Sequence, residues 1–209
     1  MKNLILLYFQ IWDFIAMEFI QKLNEHEGED VTVRINSPGG NVFAGWGMIA
    51  AITEFTGKLT VKVDGVAASM AAYMILFIDN VECVDVSRFM LHPARGFVEN
   101  DEDQKFLDDV NRDLKAKMKK KFNAETFESV TGHTIDDMFK DNIDIWLNAK
   151  QAKKLGMVKK INRLEPADQQ AFMKLVACGR FEEETKAPAA GQSESVNWEN
   201  ILNNINLKV

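Results

Sequence analysis

Two hydrophobic periods alternate along the first three quarters of the chain. Residues 4–9 form a continuous apolar run of strand type, whereas Phe14, Met17, Ile20 and Leu23 recur every third residue and mark one face of a helix. Val31, Val33 and Ile35 alternate with Thr32 and Arg34, which predicts a half-buried strand stopping at Asn36-Ser-Pro-Gly-Gly40. Residues 44–55 have helical character and close at Gly57, and residues 59–63 read as the next strand. Residues 81–86 and 88–91 are two more strands, separated by a kink near Ser87. Strands alternating with helices predict an α/β fold with a largely parallel sheet.

After His92-Pro-Ala-Arg-Gly96 the period lengthens. Phe106, Val110, Leu114, Met118 and Phe122 recur every four residues and predict a long amphipathic helix over residues 101–123. Asp101, Glu102 and Asp103 open it and the lysines of residues 115–121 close it, an order that complements the helix dipole. Thr134-Ile-Asp-Asp137 has the form of a capping box and opens a short helix. A strand over residues 143–147, a helix over 148–155 stopped by Gly156 and a last strand over 158–161 complete a domain of residues 1–162. Residues 163–209 read as a C-terminal extension. Within it, residues 182–195 are acidic and then rich in Ala, Pro, Gly and Ser, as in a flexible linker. Trp198, Ile201, Leu202 and Ile205 share one face of a possible docking helix.

Composition narrows the function classes. The chain has 209 residues, 46% hydrophobic and 27% charged, enough for a full core. A net charge of −6 argues against a general grip on nucleic acid, since the one lysine run belongs to a helix end. The longest apolar run, residues 66–78, is shorter than the roughly 20 residues a membrane-crossing helix needs. Two distant cysteines, Cys83 and Cys178, suggest neither a disulfide framework nor a metal site, and a reducing, cytoplasmic compartment.

The stretch from Val63 to Phe77 carries the chemistry. It passes from a β-branched segment through Gly65 and small residues into an apolar helix, with Ser69 at the turn. Amide groups there lack intrahelical partners, and the helix dipole favours negative charge. A serine nucleophile needs a base, an orienting acid and amide donors for the oxyanion. Of the three histidines, only His92 closes an apolar strand, and Pro93 turns the chain away from it. For the acid, Asp144 breaks an apolar strand, so it should be nearly buried; Asp141 is its rival, and Asp64 and Asp85 are weaker ones. Pro38-Gly39-Gly40 exposes backbone amides, and the Met70 amide follows the nucleophile. Glycine spacing over residues 40–45 suggests a phosphate loop, but Trp46-Gly47 stands where Lys and Ser or Thr are required. Cys83 is disfavoured as a nucleophile by its acidic neighbours Glu82 and Asp85.

Ile35-Asn-Ser-Pro-Gly-Gly40, Gly65-Val-Ala-Ala-Ser-Met70, Met90-Leu-His92 and Trp146-Leu-Asn-Ala149 followed by Leu155-Gly-Met-Val158 occur together and in this order. The set resembles the ClpP family, the proteolytic subunit of Clp-type serine proteases, and looks most like the branch carried by phages and prophages. The resemblance covers residues 3–162. It implies the ClpP/crotonase spiral of β-α units with the long helix as a protruding handle. It also implies a triad of Ser69, His92 and Asp144, the Gly40 and Met70 amides as oxyanion hole, Gly39 and Pro93 as substrate-binding neighbours, and a homo-oligomeric ring. No metal or cofactor is implied. Val66 stands where housekeeping members have glutamine, and the short segment before the first strand weighs against partnership with a Clp-type ATPase. The extension past Asn162 suits an enzyme of phage head maturation acting on capsid or scaffold proteins. The expected function is therefore a serine endopeptidase, ATP-independent or ATPase-assisted, without nucleic-acid or membrane partners. The alternatives are a crotonase-like acyl-CoA enzyme, a Ser-Lys peptidase, which lacks a suitably placed lysine, and an inactive ring-forming capsid scaffold.

Overall fold

The structure, a computed structural model, describes residues 3–163. From residue 164 onward, the linker and docking helix expected from the sequence lie outside the described residues. In chain order the elements are β1 (Leu4–Leu7), α1 (Asp13–Glu25), β2 (Val31–Ser37), α2 (Val42–Glu54), β3 (Leu59–Ala68), α3 (Met70–Ile75), β4 (Val81–Val84) and β5 (Arg88–Leu91). Then follow α4 (Asp101–Lys121), α5 (Ala124–Thr131), α6 (Ile135–Lys140), β6 (Ile145–Asn148), α7 (Ala149–Lys154) and β7 (Lys160–Asn162).

Among the described residues the strands make one sheet in the order β1-β2-β3-β4-β7, and every pairing along this path is parallel. β3 is the hub. Its first half pairs with β4 at Val61 to Val63, and its second half pairs with β5 at Val66 to Ala68. The strand therefore runs past the expected end at Val63, because β5 supplies partners for the backbone that follows Gly65. β6 pairs antiparallel with β5, the one antiparallel pairing in the sheet. Ser87 is buried at the β4–β5 kink, where its hydroxyl donates to the Val63 carbonyl and accepts from the Val84 amide. A buried hydroxyl satisfied on both sides makes the kink a fixed feature of the core.

α3 is buried on every residue, as its all-apolar sequence requires, and it packs in the middle of the core cluster. α4 buries Val110, Leu114 and Met118 of the expected stripe, whereas Phe106, at its outer end, stays exposed. Asn100 caps it by accepting from the Glu102 and Asp103 amides, and it stops at Lys121 because Phe122 turns extended and enters the core. The expected capping box at Thr134 and Asp137 forms at the start of α6. α5, between α4 and α6, has no counterpart in the sequence reading. Among the described residues no helix is long and apolar enough to cross a membrane.

Candidate active site

The end of β3 aims the site. Ser69 follows the last β3 residue and precedes the first residue of α3, with φ 53° and ψ −127°. A non-glycine residue in that region is strained, and it persists only where its surroundings enforce it. Here the Ser69 amide donates to the Met90 carbonyl at 2.8 Å, and its carbonyl accepts from the Ala72 and Tyr73 amides. Both neighbours are thus locked to the sheet and to α3, and the hydroxyl is turned outward from a rigid corner.

Register places His92. Ala68 pairs with Met90, so two residues further on, just past the end of β5, the chain passes beside the Ser69 turn. The His92 Nε2 and Ser69 Oγ are 2.8 Å apart, a full hydrogen bond. The Tyr73 hydroxyl donates to the His92 carbonyl at 3.0 Å and so anchors the ring's backbone to α3. Burial pushes the imidazole below its ordinary pKa, and the Arg95 charge pushes the same way. The Pro93 carbonyl and the Asp144 charge act in the opposite sense without overcoming them. A neutral ring, able to accept the serine proton, is the result.

The two amides expected to hold an oxyanion are available. Among the described residues neither the Gly40 nor the Met70 N–H donates a hydrogen bond. The loop before α2 is pinned by Ser37, whose hydroxyl donates to the Phe9 carbonyl and accepts from the Gly39 amide, and by Ile11, whose N–H donates to the Gly39 carbonyl. Both backbone groups of Gly39, which the resemblance sets beside the substrate, have partners within the fold. Its role is close approach: φ is +89°, and a Cβ there would lie 2.7 Å from both the Ser69 Cβ and the Met70 nitrogen. Pro93, the other residue the resemblance sets beside the substrate, is buried where the chain turns away after His92.

Asp144 departs most from expectation. It lies just outside β6, its side chain is 41% exposed rather than buried, and its Oδ1 accepts from the Arg95 Nη2 at 2.5 Å. Arg95 also reaches the Asn142 side chain at 3.0 Å and carbonyl at 3.1 Å. The His92 Nδ1 is buried and makes no hydrogen bond of full geometry, although the Pro93 carbonyl is close enough to the ring to act on its pKa. Asp144 is thus near His92 but turned to Arg95, because it sits where an edge strand begins and a guanidinium is in reach. None of its rivals is positioned better. Asp141 is exposed at the end of α6, Asp85 is exposed beyond β4, and Asp64 is taken by Arg34 and Tyr8 on another part of the sheet. The sequence reading missed Arg95, although a cation three residues after the only well-placed histidine was visible. Cys83 is buried, and that burial pushes its thiol up to about 11, far from a reactive thiolate.

A cavity of about 400 Å³ opens beside Gly40, walled by Phe43, Phe106, Leu107 and Val110, with Arg95 at its edge. Asn41 and Asp103 line it too, so the wall is mixed, with apolar side chains beside charged and polar ones next to the expected oxyanion amides. The larger groove, about 820 Å³ between α1 and α2, is lined by Met17, Ile20 and Gly47 and includes neither Ser69 nor His92.

The model of the family described as Clp protease matches residues 1–165 of this chain. The chain is 27% identical over 173 residues to an ATP-dependent Clp protease proteolytic subunit of Bacteroides thetaiotaomicron, covering 77% of this chain and 74% of that protein. It is 28% identical over 153 residues to ATP-dependent Clp protease proteolytic subunit 2 of Pseudomonas aeruginosa, covering 70% and 74%. Among solved structures, a ClpP1 mutant from Listeria monocytogenes matches with a TM-score of 0.64 at 23% identity, covering 77% of this chain and 91% of that one. That likeness speaks to the fold alone.

Proposed function

The chain belongs to the Clp protease family, whose proteolytic subunits are serine endopeptidases, and from that premise we propose that Ser69 is the nucleophile, His92 the general base and Asp144 the acid that orients His92. The observation that carries the assignment is the 2.8 Å contact between Ser69 Oγ and His92 Nε2 at a strained, core-anchored turn. As Ser69 Oγ attacks the scissile carbonyl carbon, its proton passes to Nε2. The Gly40 and Met70 amides receive the oxyanion, and His92 returns the proton to the leaving amine as the C–N bond breaks. Water then hydrolyses the acyl-enzyme with His92 again as base. An acyl-CoA enzyme would need the amide pair but not a serine bonded to a histidine, so this contact favours peptide hydrolysis.

On this reading residues 1–162 are the protease unit and 163–209 an extension, and copies of the chain assemble into a ring in the cytoplasm. Support for assembly comes from the apolar band Phe9, Trp12, Phe14 and Met17, each more than half exposed. The relatives' description as ATP-dependent favours assistance by a Clp-type ATPase. The finer reading, a phage or prophage enzyme that trims capsid or scaffold proteins, rests on the motif set and on the extension past Asn162.

The test is labelling with a fluorophosphonate probe, read by intact mass and peptide mapping beside a Ser69→Ala control. One adduct, on Ser69 and absent from the control, is the expected result. No adduct on folded, assembled protein would leave an inert scaffold as the better reading.

A further inference from the structure

His92 Nδ1 is the one buried side-chain nitrogen or oxygen among the described residues that lacks a hydrogen-bond partner. With Nε2 accepting the serine proton, Nδ1 must carry the ring hydrogen, so a buried donor stands unsatisfied at the centre of the site. The carboxylate suited to receive it, Asp144, acts on His92 through its charge but bonds Arg95 instead. Arg95 in turn donates to the side-chain oxygen and the backbone carbonyl of Asn142 and lines the cavity beside Gly40. The ion pair is exposed on both sides, 46% for Arg95 and 41% for Asp144, so it is weak and exchangeable.

We propose that Arg95 is a positioning residue that latches the site: it holds Asp144 off His92, and an acidic side chain of the peptide substrate that takes its guanidinium frees Asp144 for Nδ1. The proposal rests on the Ser69–His92–Asp144 reading given above. A substrate carboxylate entering the cavity meets Arg95 at the rim, and the guanidinium fork accepts a second carboxylate in the geometry it uses for the first. Asp144, released, gains the Nδ1 donor and stabilises the imidazolium that forms as Ser69 loses its proton. Cleavage then responds to charge near the scissile bond, with Arg95 as the attracting group in a mixed cavity wall where Asp103 is the opposing charge.

Matched peptides that differ only by Glu or Gln beside the cleavage site test this on the assembled full chain, with wild type, Arg95→Gln and Arg95→Lys compared. Wild type is expected to prefer the Glu peptide by about tenfold or more, mainly in kcat, since an orienting aspartate contributes up to ~10⁴ in kcat. Arg95→Gln should cleave the Gln peptide faster than wild type and lose the preference, whereas Arg95→Lys should keep part of it. Inactivation by a neutral fluorophosphonate, which carries no carboxylate, should be faster in Arg95→Gln. Equal treatment of the two peptides by wild type, or slower inactivation of Arg95→Gln with its assembly intact, would overturn the latch while Ser69 labelling persists. Absence of Ser69 labelling in wild type, Arg95→Gln and Arg95→Lys alike would sink the underlying triad reading and the latch with it.

Discussion

The Met70 side chain occupies the space that Gly45 leaves open: a Cβ on Gly45 would sit 2.2 Å from Met70 Cγ. This contact joins α2, which begins at the glycine loop, to α3, whose first residue supplies an oxyanion amide. The helix that follows the glycine loop and the helix that follows the nucleophile turn are therefore packed closely on each other, which fixes the spacing a two-amide oxyanion site requires.

Gly45→Ala should force Met70 aside and cost about 1–3 kcal/mol of stability through overpacking. Because the displaced residue carries the oxyanion amide, the fluorophosphonate labelling rate should fall as well. Denaturant unfolding and labelling kinetics on the same preparation check this, and a stable variant that labels at the wild-type rate would separate the packing contact from the site.

Gly39→Ala meets two obstacles together, a left-handed φ and a Cβ 2.7 Å from the Ser69 Cβ. Backbone strain of this kind costs about 1–3 kcal/mol, and the only relief open to the loop is to draw back from Ser69. Peptide hydrolysis should be lost before the fold is, as judged by circular dichroism beside turnover.

The pH profile of kcat/KM should show an acidic limb below the ordinary histidine value of about 6.5. Burial and the Arg95 charge both favour neutral His92, and only the neutral ring accepts the serine proton, so activity persists as pH falls until His92 is protonated. Removing the Arg95 charge in Arg95→Gln should move that limb to higher pH, and removing the Asp144 charge in Asp144→Asn should move it lower. Movement in the same direction for both variants would contradict this account of the electrostatics.

Away from the site, Asp64 on β3 joins β2 through Arg34 and the segment after β1 through Tyr8. Its partial burial pushes its pKa up, but hydrogen bonds from Arg34 and Tyr8 outweigh burial and hold the carboxyl below its usual range. A folded-state pKa lower than the unfolded one contributes stability that is fully present above the unfolded value, near 3.9, and is lost as pH falls through the folded value. Asp64→Asn should therefore cost about 1–2 kcal/mol at neutral pH, a figure held down by the exposure of Arg34. The gap between variant and wild type should close as unfolding is measured at progressively lower pH below about 4.

The elements of the sheet and most helices were legible because their signals are local: an apolar run, an alternation, a stripe every four residues. α5 escaped because it buries only Phe127 and so has no stripe, although Asn123 caps it and Gly132 closes it. β3 was cut short at Val63 because its continuation contains Gly65, and only the pairing with β5 makes that backbone a strand. The antiparallel turn of β6 was equally hidden, since strand direction depends on the partner.

By itself the sequence determined the α/β character of the chain and narrowed the candidate chemistry to Ser69, His92 and the amides of Gly40 and Met70, because residue type and local turn signals set what each position is able to do. Tertiary structure alone decided their relations. The register of β3 on β5 sets the 2.8 Å between Ser69 and His92, and side-chain packing between two loops 49 residues apart in sequence gives Asp144 to Arg95. Distances between side chains on separate elements follow from pairing and rotamer choice, which no local pattern of hydrophobic and polar positions encodes.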